Sequence, residues 1–162
     1  MAPKAVDPTR YTLHVVSFSV MRENAAPDGG RSAPRPTFSD PRVVADLARQ
    51  IIADDAREHF WTLMLDAHNG LVAAHEVSTG TLSASLVHPR EVFGPALRVL
   101  GVASVVLIHN HPSGDPTPSR EDLRLTRQLL DAGQLLDIKV HDHVIIGSGT
   151  DAYVSLAERG AV

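Results

Sequence analysis

The sequence contains no cysteine, so disulfide bonds and metal sites built on thiolates are excluded. It also lacks any run that approaches the roughly 20 apolar residues of a transmembrane helix. No charged stretch followed by an apolar one opens the chain, as a secretory signal would. From these absences we expect a soluble, cytoplasmic protein that does not act at a membrane.

Basic residues are not in excess, since 15 lysines and arginines stand against 19 aspartates and glutamates, for a formal net charge of −4. Nucleic-acid-binding proteins usually carry a surplus or a stripe of positive charge. Only 4% of the residues are aromatic, which argues against a platform on which bases could stack. The composition therefore argues against DNA as a partner.

Apolar periodicity predicts alternating helices and strands in one domain, as the length of 162 residues also suggests. A strand is expected over residues 11–20, and the glycine- and proline-rich stretch 24–36 is expected to be a long loop. Helices are predicted over residues 41–52, 88–100 and 119–132, and strands over 58–66, 71–78, 103–108, 138–146 and 153–156. Asn69-Gly70 predicts a hairpin turn, and Asp40-Pro41 predicts a helix start. This mixture predicts an α/β fold in which helices flank a mixed sheet.

Two histidines separated by one residue follow the most apolar of these strands. In an extended chain the side chains of His109 and His111 point to the same side. Prolines and a glycine then turn the chain back to Ser119, and Asp122 lies three residues further on. Two imidazoles and a carboxylate give three protein ligands with one position open, which is typical of a catalytic zinc site.

The same residues also have a purely structural interpretation. Ser119 with acidic residues after it is typical of a helix start, and His-x-His occurs on strands by chance. The two interpretations are compatible, because an aspartate in a first helical turn can bind a metal while the helix stays capped. The conjunction of both halves of the pattern favours a metal site.

The order His-x-His, seven residues, Ser, two residues, Asp resembles the metal motif of the JAB/MPN metallopeptidases, also called JAMM proteases. The wording His-Asn-His-Pro-Ser-Gly-Asp, with segments 87–93 and 142–147, is similar to the bacterial RadC-like branch. The resemblance covers about residues 42–160. It implies a JAB/MPN-like, cytidine-deaminase-like fold over residues 41–162. From the residue pattern alone, residues 1–40 are expected to form a tail, a strand and a loop before this domain.

The resemblance also implies a chemistry, that of a zinc metallopeptidase. His109, His111 and Asp122 would hold Zn²⁺, and Ser119 would donate a hydrogen bond to the oxyanion that forms during hydrolysis. A glutamate from an earlier strand would act as the general base.

Spacing alone does not identify that glutamate. Glu58 is our choice, because it stands at the head of a predicted strand and two residues before an aromatic, as in the RadC-like pattern. Glu91 is the alternative, although in the first turn of a helix it would also complement the helix dipole.

Three further residues near the motifs are open to more than one interpretation. His141 and His143 alternate onto one face of a predicted strand, where we expect a hydrogen-bonded structural pair, while the resemblance makes a position near the site conceivable for His143. Asp115 is expected to shape a turn, with orientation of a ligand imidazole as the alternative.

The leading hypothesis is thus a metallopeptidase that cleaves a peptide or isopeptide bond in a peptide or protein substrate, which in some branches of the family is a ubiquitin-like tail. One alternative is an accessory protein of DNA repair or DNA transactions, the role traditionally attached to the RadC name. The support for this alternative is weak, because the first 40 residues show no pair of helices around a glycine hairpin and the net charge is negative. A non-catalytic binding module is the other alternative, and the intact motif argues against it. Nothing in the sequence indicates an oligomeric state.

Overall fold

The computed structural model describes residues 37–52, 56–80 and 87–162, and the strand and loop predicted before residue 37 lie outside them. Three helices and five strands form a single α/β domain in this part of the chain. They are α1 (Pro41–Ile51), β1 (Glu58–Leu65), β2 (Leu71–Gly80), α2 (Pro89–Ala96), β3 (Ser104–His111), α3 (Arg120–Leu136), β4 (Lys139–Gly147) and β5 (Tyr153–Ser155). Within these residues no helix is both long and apolar enough to cross a membrane.

The strands form one mixed sheet in the order β2-β1-β3-β4-β5. Strand β1 runs antiparallel to β2 and to β3, β3 is parallel to β4, and β5 is antiparallel to β4. Apolar residues of α1 pack on one face of the sheet, and those of α2 and α3 pack on the other. The predicted α/β fold with a mixed sheet is therefore confirmed, and β3 lies at its centre.

Two local predictions are confirmed at the ends of elements. Asp40 caps α1, because its carboxylate accepts a hydrogen bond of 2.8 Å from the backbone N–H of Arg42. The hairpin between β1 and β2 turns at Asn69, whose φ of 59° lies in the left-handed region that asparagine tolerates.

Helix α2 is shorter than predicted, because it ends at Ala96 and not near residue 100. Pro95 occupies its last turn and has no N–H to donate to the preceding turn, which weakens the helix at that point. Leu97 and Leu100 therefore lie beyond the helix and are 60% and 95% exposed.

Helix α3 is longer than predicted, since Gly133 does not end it. The helix continues to Leu136 and ends at Asp137, which adopts a left-handed φ of 56°. Gly133 serves close packing instead: a Cβ atom there would lie 2.6 Å from the carbonyl oxygen of Ile138 and 3.2 Å from the ring of Phe93. Apolar periodicity does not reveal such an approach between elements.

We expect Gly133→Ala to lower the free energy of unfolding by about 1–3 kcal/mol, because the added methyl group collides with backbone that cannot move freely. Urea unfolding followed by circular dichroism measures the change. The matched control is Gln134→Ala in the same helical turn, which is exposed and should change the stability by less than about 0.5 kcal/mol. Equal stabilities of the two variants would contradict the packing role.

Candidate metal centre

The candidate metal centre lies where the central strand meets the first turn of α3. His109 and His111 are the last residues of β3 on one face, and His109 is completely buried. The loop that follows β3 returns the chain to Ser119, and Asp122 lies in the first turn of the helix. The sequence motif thus folds back on itself, as its spacing predicted.

The three predicted ligands are close enough to share one ion. The Nε2 atoms of His109 and His111 are 2.9 Å apart. Asp122 places Oδ1 at 3.3 Å from Nε2 of His109 and Oδ2 at 3.4 Å from Nε2 of His111. In a tetrahedral site an ion about 2.0 to 2.1 Å from each ligand atom keeps those atoms roughly 3.3 to 3.4 Å apart. The two contacts of Asp122 match this separation, and the two Nε2 atoms lie closer together. These residues can therefore hold a metal ion, and no other group of three or more such ligands is found in the described part of the chain.

Ser119 and Asp122 also cap the helix, as the structural interpretation of the sequence expected. The hydroxyl of Ser119 accepts from the backbone N–H of Asp122 at 3.1 Å, and Oδ2 of Asp122 accepts from the backbone N–H of Ser119 at 2.6 Å. This reciprocal pair is a capping box. One carboxylate therefore satisfies the helix and faces both imidazoles.

The second ring nitrogen of His109 contacts His143, which we expected to pair with His141. Its Nδ1 lies 2.7 Å from Nε2 of His143, whose Nδ1 lies 2.6 Å from the hydroxyl of Thr126. The predicted pair of His141 with His143 is wrong, because both ring nitrogens of His143 are engaged here. An irregularity in the pairing of β3 with β4 explains the difference: consecutive residues of β3 pair with Val140 and then Asp142, which interrupts the expected alternation.

His111 is oriented by a backbone carbonyl rather than by a side chain. Its Nδ1 lies 2.7 Å from the carbonyl oxygen of Asp115, while the Asp115 carboxylate accepts from the backbone N–H of Thr117 at 2.9 Å. Asp115 thus shapes the turn and orients the imidazole, but with different atoms. Because a carbonyl only accepts, Nδ1 of His111 carries hydrogen, and Nε2 is the atom that faces Asp122.

The protonation states are shaped by burial and by mutual contact. Burial lowers the pKa of His109 well below the ordinary value of histidine and lowers the pKa of His143 to about 4. Contact with Asp122 raises the pKa of His111. Burial opposes ionisation of Asp122, but His111, His109 and Ser119 outweigh it and hold the pKa of this carboxyl well below its usual range. An ionised aspartate and a neutral His109 are the forms that a metal ion binds.

Glu58 lies beside this group, and Glu91 does not. A cavity of about 750 Å³ is lined by Glu58 together with His111, Ser119 and Asp122. Strand β1 pairs Phe60 with His109, and the same register continued by two residues brings Glu58 opposite His111. Glu91 is on α2, half exposed and paired with the neighbouring Arg90 at 2.9 Å. The role of Glu58 as general base stays a prediction.

Asn110, between the two histidines of the motif, was not predicted to have a role at the site. Its buried side chain donates to the carbonyl of Arg57 and to the hydroxyl of Ser148, each at 2.9 Å, and accepts from the backbone N–H of His59 at 2.8 Å. These bonds tie the backbone on both sides of Glu58 to the strand of the histidines. A side-chain amide in a buried strand needs hydrogen-bond partners. This requirement is the feature of the sequence that could have identified Asn110.

Comparison with known proteins identifies the family of this chain. A family model described as "RadC-like JAB domain" matches residues 38–161. The chain belongs to the RadC-like JAB family. Among its relatives is a UPF0758 protein of Trichlorobacter lovleyi, 51% identical over 123 residues, which covers 76% of this chain and 52% of the relative. A UPF0758 protein of Rubrobacter xylanophilus is 50% identical over 130 residues, or 80% of this chain and 56% of the relative.

A third family member, a UPF0758 protein of Desulforudis audaxviator, is 42% identical over 146 residues, which is 90% of this chain and 62% of the relative. The chain spans about half the length of the first curated relatives it matches. The family assignment therefore covers the JAB domain itself, which holds the candidate metal centre.

We expect Asp122→Asn to lower the pKa of His111 in the metal-free protein, because contact with the Asp122 carboxylate is the main cause of its elevation and burial acts in the opposite direction. A proton NMR titration of the ring hydrogens measures this pKa. The control is Asp131→Asn, a change at an exposed aspartate of the same helix, which should leave the pKa of His111 as in wild type. An unchanged pKa in Asp122→Asn would show that the two side chains do not meet as described.

Proposed function

We propose that this domain is a zinc-dependent metallopeptidase that hydrolyses a peptide or isopeptide bond in a peptide or protein substrate. The observation that carries the proposal is the three-residue ligand group at the wall of a cavity that Glu58 and Ser119 also line. His109, His111 and Asp122 would hold the ion. Three protein ligands leave a coordination position for water, which is the arrangement of catalytic zinc sites.

Zinc held by His109, His111 and Asp122 would supply Lewis acidity, which would lower the pKa of a coordinated water to about 7 and make that water a usable nucleophile. The chain's own residues account for the remaining steps. Glu58 projects from the face of the sheet that carries the histidines, so its carboxylate can take a proton from the attacking water and return it to the leaving amine.

Ser119 lines the same cavity as Glu58 and would support the reaction there. Its hydroxyl oxygen accepts a hydrogen bond from the N–H of Asp122, so its own hydrogen can be donated elsewhere. We assign this hydrogen to the oxyanion of the tetrahedral intermediate. The helix cap holds the hydroxyl in place before the substrate arrives.

The cavity also suggests the form of the substrate. Its volume of about 750 Å³ lies within the range of volumes found for small-molecule pockets in proteins. Its lining includes residues of the ligand group and Gly80 at the end of the edge strand β2. We propose a segment of polypeptide as its occupant, and a ubiquitin-like tail is one substrate of that kind.

We expect about one zinc ion per chain after chelator treatment and reloading, and its loss in His109→Ala and Asp122→Ala, because each substitution leaves only two ligands. Elemental analysis by mass spectrometry after dialysis measures the content. His68→Ala is the control, since His68 is exposed in the hairpin turn and should not affect zinc. Wild-type protein that takes up no transition metal would refute the metallopeptidase proposal.

We expect Glu58→Gln to retain zinc and to lose at least about 10²-fold in turnover, because the amide cannot accept the proton of the water. A peptide-library cleavage screen with the zinc-loaded protein first supplies a substrate, and mass spectrometry then gives the rates. Glu91→Gln is the matched control and should cleave at the wild-type rate, since Glu91 pairs with Arg90 away from the cavity. Full activity of Glu58→Gln would move the general base to another residue.

A further inference from the structure

Behind the metal ligands, a buried chain of hydrogen bonds joins His109 to the backbone of Asp122. Nδ1 of His109 lies 2.7 Å from Nε2 of His143, and Nδ1 of His143 lies 2.6 Å from the hydroxyl of Thr126. That hydroxyl in turn lies 2.6 Å from the carbonyl oxygen of Asp122, one helical turn earlier. His109, His143 and Thr126 are at most 1% exposed. The chain therefore starts at one ligand and ends at another, without water between its members.

The direction of each hydrogen bond in this chain follows from the final acceptor, which is the carbonyl oxygen of Asp122. The carbonyl of Asp122 has no hydrogen, so Thr126 must donate its single hydrogen there. Toward His143 the hydroxyl can then only accept, so Nδ1 of His143 carries hydrogen. A neutral imidazole with hydrogen on Nδ1 has a bare Nε2, which accepts from Nδ1 of His109. His109 is thereby left with its bare Nε2 directed at His111 and Asp122.

The opposite arrangement is disfavoured by the surroundings. If Nε2 of His143 donated to His109, both ring nitrogens of His143 would carry hydrogen, because its Nδ1 must still donate to the hydroxyl of Thr126. The resulting positive charge would be fully buried, beside the Phe60 ring, whose centroid lies 5.4 Å from that of the imidazole. No carboxylate contacts either nitrogen of His143, since His109 and Thr126 occupy them.

We propose that His143 and Thr126 are positioning residues that hold His109 in the Nδ1–H tautomer, so that its Nε2 lone pair faces the ion before the ion binds. This inference rests on the metal centre of the proposed function. Ligand histidines often donate to a carboxylate. Here the acceptor is neutral, so the ring is oriented without adding negative charge, and Asp122 stays the one anionic ligand.

The first test reads the tautomer in the metal-free protein by long-range ¹⁵N–¹H NMR, which separates protonated from bare ring nitrogens. We expect a protonated Nδ1 and a bare Nε2 for His109. In Thr126→Val, which keeps the side-chain shape, His143 is free to carry its hydrogen on Nε2, and the hydrogen of His109 should move to Nε2 facing Asp122. Thr126→Ser keeps the hydroxyl and should restore the wild-type tautomer, and His141→Ala is the control without effect.

The second test measures zinc affinity by competition with a chromophoric chelator. Loss of the positioning bond should weaken binding by about 10- to 100-fold in Thr126→Val and in His143→Phe. His143→Gln can offer a carbonyl oxygen in the place of Nε2 and should stay closer to wild type than His143→Phe. Because His143→Phe replaces a buried core residue and can fail to fold, the Thr126→Val and Thr126→Ser pair decides the outcome alone.

The outcomes separate this inference from the proposed function. If wild-type protein binds no zinc, the metallopeptidase proposal fails, while the NMR tautomer still tests the hydrogen-bond chain. If wild-type protein binds zinc but Thr126→Val has the same tautomer and the same affinity, the positioning role is overturned and the metal centre stands. A hydrogen on Nε2 of His109 in the wild-type protein would also overturn it.

Discussion

The capping box between Ser119 and Asp122 is the interaction on which the candidate centre depends. The first turn of α3 has unsatisfied backbone N–H groups, and the reciprocal bonds of these two residues satisfy two of them. The same bonds hold the Asp122 carboxylate where both imidazoles are within 3.4 Å. The ligand group is thus organised by the helix itself, since local structure fixes the one ligand that comes from outside the central strand.

The centre of the sheet imposes a second requirement. The end of β3 places His109 and Asn110 in positions with no exposure, where a polar group without partners costs free energy. The two side chains satisfy this requirement with different hydrogen-bond partners. Asn110 bonds to the backbone that flanks Glu58, and His109 bonds to His143. The partners that burial demands therefore also connect the ligand strand to the neighbouring elements of the site.

Much of the fold followed from periodicity and end signals, and the errors have local causes. The five described strands and the starts of α1 and α3 were predicted well, because alternation and capping residues act over a few positions. The ends of α2 and α3 were wrong. Pro95 shortened the first of these helices, whereas Gly133 was a packing residue within the second. A glycine in the sequence can end a helix, or it can allow a neighbouring element to pack closely against the helix. Only the position of that neighbour in the fold distinguishes the two roles.

The sequence by itself predicted the candidate ligands His109, His111 and Asp122, with Ser119 beside them, because the four residues lie within fourteen positions and their spacing fits one strand, one turn and one helix start. The tertiary structure alone decided what surrounds that set. The pairing of β4 with β3 brings His143 to His109, and the packing of α3 on the sheet brings Thr126 to His143. The register of β1 brings Glu58 beside the ligand group. Contacts between distant segments depend on register and on irregularities such as the one opposite Val106, and these have no signature in local spacing.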